Sequence, residues 1–270
     1  MQFGTSIVAP GFSGGRKPVV SAGACLVLLF LVLGSGAPAK AKESGQTVDE
    51  GSFGVFMSGK RVATETFSIH QDTTGSSIRS EFKTEAGATA GTAAQSSELE
   101  LTASGELKKY EFKETTPGQS QATIAPNQDF LIERYSSGPG EKTREQPFML
   151  PVTTSVLDDY FFIQREVLAW KYLATTCKQD KGPLACPLKQ SVQLGTVNAH
   201  SRTSSPISVE YEGREKVAIR GAERELIRLD TKSDVGDWSL WLDDQLKLQR
   251  ILDQASGTEV VRDEGNSGHH

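Results

Sequence analysis

From Ser52 onward, polar and apolar positions alternate along the chain. Phe53 and Val55 are set against Ser52 and Gly54, and after Ser58-Gly59-Lys60 the residues Ala63, Glu65, Phe67 and Ile69 share one face. A period of two belongs to a strand with one dry and one wet side, so the pattern predicts a hairpin. Ile78, Ser80, Phe82 and Thr84 oppose Arg79, Glu81 and Lys83 in the same way, and the Gly/Ala/Thr stretch from Ala86 to Ala94 reads as a loop. The clearest signal is Leu99 to Phe112, two alternating runs joined at Ser104-Gly105, which predicts a second hairpin. Pro117-Gly118 turns the chain again, and short strands are expected around Ala122 and Ile124 and around Phe130 and Ile132. Beyond Pro187 the alternation returns at Val192 and Leu194, at Ile207, Val209 and Tyr211, at Val217 and Ile219, and at Ile227 and Leu229, with Glu212-Gly213-Arg214 read as a turn. A closing hairpin from Trp238 to Ile251 bends at Asp243-Asp244, residues suited to turn geometry.

One segment departs from this period. Ser155 is followed three residues later by Asp158, the spacing of a helix N-terminus, and about 20 residues then run without Gly or Pro. The spacing predicts one long helix near 155–175. Leu157, Tyr160, Phe161, Val167, Leu168 and Tyr172 form its apolar face with Ile163 and Trp170 beside them, and Asp158, Asp159, Arg165, Glu166 and Lys171 its polar side. Roughly a dozen strands and one helix cannot lie flat without exposing a whole sheet face. The expected fold is therefore mainly β (α+β): a strongly curved antiparallel sheet, a half-barrel or incomplete barrel, packed on one long helix. No shift of composition divides residues 52–263, which read as a single domain, followed by a polar tail over 264–270.

The chain before this domain has a different character. Pro18 to Ala39 carries no charge and stands directly behind Arg16 and Lys17, with Cys25 to Leu33 as its apolar centre and Gly34-Ser35-Gly36 behind it. That is the build of an export signal, and Ala37-Pro38-Ala39 and Ala39-Lys40-Ala41 offer cleavage sites. An uncleaved anchor over residues 18–39 is the alternative. Both readings make residues 1–41 an N-terminal extension with a signal peptide or anchor, make 42–51 a polar tether, and export the rest to the periplasm or the extracellular space. Cys25 opens the apolar run instead of following it, which is the wrong order for lipid attachment. Cleavage would remove Arg16 and Lys17 and no acid, so the mature domain is more acidic than the net charge of −5 of the full 270 residues.

Composition then removes several classes of function. An acidic chain lacks the basic surface that nucleic acid requires. Cys177 and Cys186 bracket a Gly-Pro loop, and in an oxidising compartment such a pair reads as a disulfide. The G-x-S-x-G match at Gly11 to Gly15 lies upstream of the export signal, and the P-loop-like spacing from Gly54 to Lys60 has Arg61 where a magnesium-binding hydroxyl belongs. His70 and His200 read as exposed loop residues, while Asp158-Asp159 and Asp243-Asp244 serve a helix turn and a hairpin bend. No catalytic residue, cofactor or metal is implied. The aromatic residues Phe53, Phe82, Tyr110, Phe112, Phe130, Trp170, Trp238 and Trp241 all fall on predicted strands or the helix. They line an apolar pocket or they fill a core.

Gly54 to Val62, the Leu99 to Phe112 hairpin, Val156-Leu157-Asp158-Asp159-Tyr160, and Leu240-Trp241-Leu242-Asp243 with Arg250 resemble segments of uncharacterised exported bacterial proteins. Those families resemble, at the level of fold, the periplasmic lipoprotein carriers, whose curved sheet shelters acyl chains beneath helices. The resemblance implies a non-enzymatic envelope protein that binds or carries an apolar ligand, a lipid or a lipoprotein acyl chain. The alternative is a structural or interaction module with a filled core, and a hydrolase is a remote third. The partners implied are a lipid or lipidated protein, or another envelope protein. Membrane contact would be confined to the N-terminal segment if it is not cleaved.

Overall fold

The computed structural model describes residues 45–87, 91–178, 184–234 and 236–264. The export segment, the tail beyond Glu264 and the Gly182-Pro183 loop tip lie outside the described residues. Before the helix come β1 (Gln46–Met57), β2 (Lys60–Gln71), β3 (Gly75–Thr84), β4 (Ala94–Thr102), β5 (Leu107–Thr116), β6 (Gln121–Asn127), β7 (Phe130–Ser136), β8 (Arg144–Phe148) and β9 (Ser155–Val156). The helix α1 spans Ile163–Thr176, and after it come β10 (Ser191–Asn198), β11 (Thr203–Ile219), β12 (Ala222–Ser233), β13 (Gly236–Leu242), β14 (Leu248–Asp253) and β15 (Glu259–Arg262). All belong to one 15-stranded sheet ordered β8-β7-β6-β5-β4-β3-β2-β1-β15-β14-β13-β12-β11-β10-β9.

That order is a meander with its two ends joined and its middle cut. β1 pairs with β15, so Phe53 faces Arg262 and Phe56 faces Glu259 across a closure between distant parts of the chain. Between β8 and β9 no pairing is made, and the sheet is an open barrel with a single gap. Every junction is antiparallel except β9 with β10, where Ser155 lies beside Thr196 and Val156 beside Val197 in parallel. Parallel neighbours need a crossover, and α1 is that crossover, which places it on one face of the sheet.

The helix lies on the concave side. Tyr172 Oη donates to the carbonyl of Gln190 at 2.7 Å and accepts the N–H of Tyr211, on β11, at 3.0 Å. Trp170 Nε1 donates to the carbonyl of Leu246, between β13 and β14, at 2.6 Å. The amides of Phe162 and Ile163 meet Glu65 of β2. Strands from both halves of the order therefore touch one short helix, which requires the sheet to curl around it. The main core follows from this: Phe53, Ile69, Tyr110, Ile124, Leu131, Leu229, Leu240 and Ile251 are buried together with Phe161, Ile163, Leu168 and Tyr172. A second, smaller cluster of Val217, Ile219, Leu226, Trp241 and Val261 sits apart from it, with Phe56 and Leu252 alongside.

Several expectations are corrected. Residues 46–51 are not a tether; they begin β1, paired with β2 from Gln46↔Gln71 onward. Glu212-Gly213-Arg214 is not a turn; it is a bulge within the single strand β11, where the register slips between Tyr211 and Gly213 and Gly213 takes a φ of 113°. Ser155 does not cap the helix, because Ser155 and Val156 form β9 and the helix begins at Ile163. The disulfide Cys177–Cys186 is present, with Cα atoms 4.3 Å apart, directly after the last turn of α1. Among the described residues no helix is long and apolar enough to cross a membrane.

The β1–β15 closure is tied to the helix by a buried cluster of charged and hydrogen-bonding groups. Arg262 of β15 forms a close ion pair with Asp49 of β1 and donates to Glu166 of α1 at 3.1 Å, while Lys247 reaches Asp49 at 3.0 Å. The Asp49 and Glu166 side chains are wholly buried. Removing one partner of such a group strands the others away from water, so Arg262→Met is expected to cost about 3–5 kcal/mol of stability, read as a lower urea midpoint.

Candidate functional site

The strands deliver the predicted aromatic residues unequally. Phe53, Phe82, Tyr110 and Phe112 belong to the main core, and Trp170 and Trp238 pack against it half-buried. Phe53 stacks on Phe67 at 4.7 Å, with the Arg262 guanidinium over both rings. Phe112 meets Phe161 edge-on at 6.3 Å, and Phe82 meets Tyr160 at 5.3 Å. Trp241 is part of the smaller cluster, where Nε1 donates to Glu215 at 3.0 Å. Phe130, half-buried, lies at the end of the β6–β7 hairpin opposite Asn127, and its neighbour Leu131 is part of the main core. The main core thus gathers six of the eight residues, five from the strands and Trp170 from the helix that the strands pack against.

The polar groups on that side are less legible in the sequence. The first turn of α1 is buried on all sides, Gln164, Arg165 and Glu166 included. Its free amides are met from outside the helix: Phe162 N–H donates to Glu65 Oε2 at 2.8 Å and Ile163 N–H to Oε1 at 3.3 Å. A carboxylate at this end satisfies orphan donors and complements the helix dipole. Ser80 Oγ donates to the same carboxyl at 2.6 Å. Burial nevertheless pushes Glu65 up to about 7, against the pull of Ser80 and the two amides. Arg165, buried and lowered by that burial, stacks 4.6 Å from the Trp238 ring and 5.2 Å from Phe162. The sequence does hold a signal for Glu65, since it shares the dry face of its strand with Ala63, Phe67 and Ile69.

A second polar group lies beside the gap in the sheet. Tyr110 Oη donates to Asp158 at 3.0 Å, and the Asp158 amide donates to Gln164 Oε1 at 2.6 Å. Burial raises Asp158 above the ordinary range, opposed by the Tyr110 hydrogen bond and by the charge of His200. His200 is not an exposed loop residue: it is half-buried, its ring edge-on to Phe112 at 5.3 Å and to Tyr160 at 4.9 Å. Asp158 and Asp159 precede the helix and do not form its first turn. His70 shares a 3.2 Å hydrogen bond with Thr47 at the end of β2. Asp243 does serve its bend, accepting the amides of Gln245 and Lys247. Among the described residues no group of His, Cys, Asp and Glu is arranged to hold a metal.

The convex surface is different in kind. Across β2 to β5 an open hollow of about 490 Å³ is lined by Thr66, Ser68, Arg79, Glu81, Ser96 and Glu98, with Glu111 and Lys113 at one side. Hydroxyls and both signs of charge alternate there.

No family model matches the chain, and no curated protein matches it. Among solved structures it is similar to the beta-barrel-like protein of DUF1849, a domain of unknown function, from Brucella abortus, at 10% identity and a TM-score of 0.48, over 79% of this chain and 93% of that one. A likeness of that degree carries no argument about function. The architecture rests on the strand order and pairing.

The buried carboxyls set the pH dependence of stability. Glu65, Asp158 and Glu166 are raised by burial, Glu166 further by the charge of Asp49, and each binds its proton more tightly folded than unfolded. Their contribution is complete below the ordinary carboxylate range and is lost as pH rises through their folded values, near 7 for Glu65. Asp263, also subject to burial, is held at about 2 by Arg61, Ser52 and Arg220, and weakens the fold only in strong acid. Glu133, raised by burial to about 8, titrates in the same window, so unfolding free energy is expected to fall by on the order of 5 kcal/mol from pH 5.5 to 8.5, measured by urea titration. Glu65→Gln should flatten part of that slope. Glu65→Ala, which leaves two amides and a hydroxyl unpartnered, should cost about 3 kcal/mol even at pH 5.5.

Proposed function

We propose that this is a non-enzymatic, exported envelope protein that acts as a structural or interaction module, with the convex face of β2 to β5 as its working surface. The observation that carries the reading is the occupant of the concave side. A carrier of acyl chains needs that side for cargo, whereas here α1 fills it, held by Glu65 at one end, by Arg262 and Leu248 at Glu166, and by the Tyr172 hydrogen bonds. Phe82, Phe112 and Trp238, which would line a pocket, are in contact with Tyr160, Phe161 and Phe162 of the segment that leads into the helix. Among the described residues the large exposed apolar side chains are Met57, Met149 and Leu188, none of them on β2 to β5, so the partner this surface suits is polar. The export signal and the Cys177–Cys186 disulfide support a place outside the cytoplasm.

The carrier reading, with the resemblance to lipoprotein carriers behind it, requires α1 to leave its seat so that a lipid can enter. Native mass spectrometry of the chain purified from an oxidising compartment separates the two. A single ligand-free mass with the disulfide intact is the expected result, followed by capture of a polar envelope partner that Arg79→Glu and Lys113→Glu weaken. Adducts that extract into organic solvent as lipids would overturn the module reading in favour of the carrier.

A further inference from the structure

The gap in the sheet is closed by side chains. β8 and β9 end the strand order, and the β10–β11 turn reaches across to β7 and β8. Gln146 of β8 donates from Nε2 to the carbonyl of Arg202 at 3.1 Å, and the Arg202 guanidinium sits 4.7 Å from the Tyr135 ring of β7. His200, from the same turn, wedges against Phe112 of β5 and Tyr160.

Glu133 lies under this closure. It is opposite Gln146 on β8 and Ile124 on β6, it is wholly buried, and neither of its carboxyl oxygens has a partner. A buried carboxyl is tolerable without a partner only while it keeps its proton. The groups that face it are few. β6 presents apolar Ile124 and β8 neutral Gln146, and Tyr135 is on its own strand. Tyr110 of β5 is engaged with Asp158, whose charge disfavours a second anion nearby. The turn brings His200, which acts on Asp158, and Arg202, the cation that acts on Glu133.

We propose that this closure is a proton-operated latch, shut while Glu133 is protonated and loosened when Glu133 ionises. The buried carboxylate would then need a cation, and among the described residues Arg202 is the one whose charge already acts on it. To meet it the guanidinium leaves the Tyr135 ring, and the turn moves with it. The Gln146 hydrogen bond is made to the backbone of that same residue, so it is the contact across the gap that gives way. Burial raises Glu133 to about 8, with Arg202 opposing and Asp158 adding to the shift, which puts the release at mildly alkaline pH. The latch is independent of which partner the convex face engages.

Carboxyl-carbon NMR of the full chain, labelled at glutamate, with backbone amide spectra from pH 5.5 to 9.5, tests this. The expected result is a Glu133 carboxyl that titrates near 8, and amides of residues 144–148 and 199–203 that move with the same midpoint while Leu229 and Leu240 stay still. Glu133→Gln should abolish that transition. A Glu133 carboxyl that titrates in the ordinary range overturns the proposal. So does a seam transition that survives Glu133→Gln and disappears in His200→Asn. Should Glu133→Gln fail to fold, Arg202→Gln, at an exposed residue, removes the waiting cation instead. It should raise the midpoint by about one pH unit, a tenfold weaker acid, and an unchanged midpoint would count against the latch.

Discussion

A helix that ends inside a barrel has nowhere to send its free amides, and the rest of this structure depends on how that is solved. Water cannot reach the first turn of α1, and no local side chain caps it. The carboxyl of Glu65 arrives from a strand nearly a hundred residues earlier in the chain and accepts two of the donors. Once that end is fixed, Arg165 is set against Trp238, and Glu166 is set where the β1–β15 closure can grip it. The helix is less a lid on the sheet than the core around which the sheet is wound, and its polar side is held to the strands as well as its apolar one.

The same logic separates what the sequence makes legible from what it hides. Alternation locates β2, β3 and β5 because each has one dry face, the β13–β14 hairpin is marked by its Asp243-Asp244 bend although Leu240, Trp241 and Leu242 are all buried, and the spacing of Cys177 and Cys186 announces their bond. The helix start is hidden because Ser155 and Asp158 have the spacing of a cap, while the residue that caps is far away in sequence. The bulge in β11 imitates a turn for a related reason: Gly213 serves either purpose, and only the pairing with β12 distinguishes them.

Charged residues are the least legible, and unevenly so. Glu65 stands on a dry face among Ala63, Phe67 and Ile69, and an acid in that position is itself a signal that something must meet it. Glu133 stands likewise two residues after Leu131. Asp49 and Arg262 offer no such hint, since each looks like an ordinary polar residue near the border of the domain, and their meeting follows only from β1 pairing with β15. Interactions that join remote segments are invisible to a pattern that reads a few neighbours at a time.

The order of the strands has a consequence for how the molecule could be rearranged. Nearly every pairing joins neighbours along the chain, the chief exception being β1 with β15, which holds the first and last strands of the domain side by side. The open place in the ring falls between β8 and β9, in the connection around Met149 and Leu150. A permuted chain that began at that connection and joined Arg262 to Gln46 through roughly ten added residues would have room to run back along β1. Its strands would then follow one another from one edge of the gap to the other without a single distant pairing. The present chain must find one strand closure across almost its whole length, whereas the permuted chain would pair every strand with its neighbour in sequence and leave the contacts of α1 and of the β10–β11 turn as the long-range part of its folding.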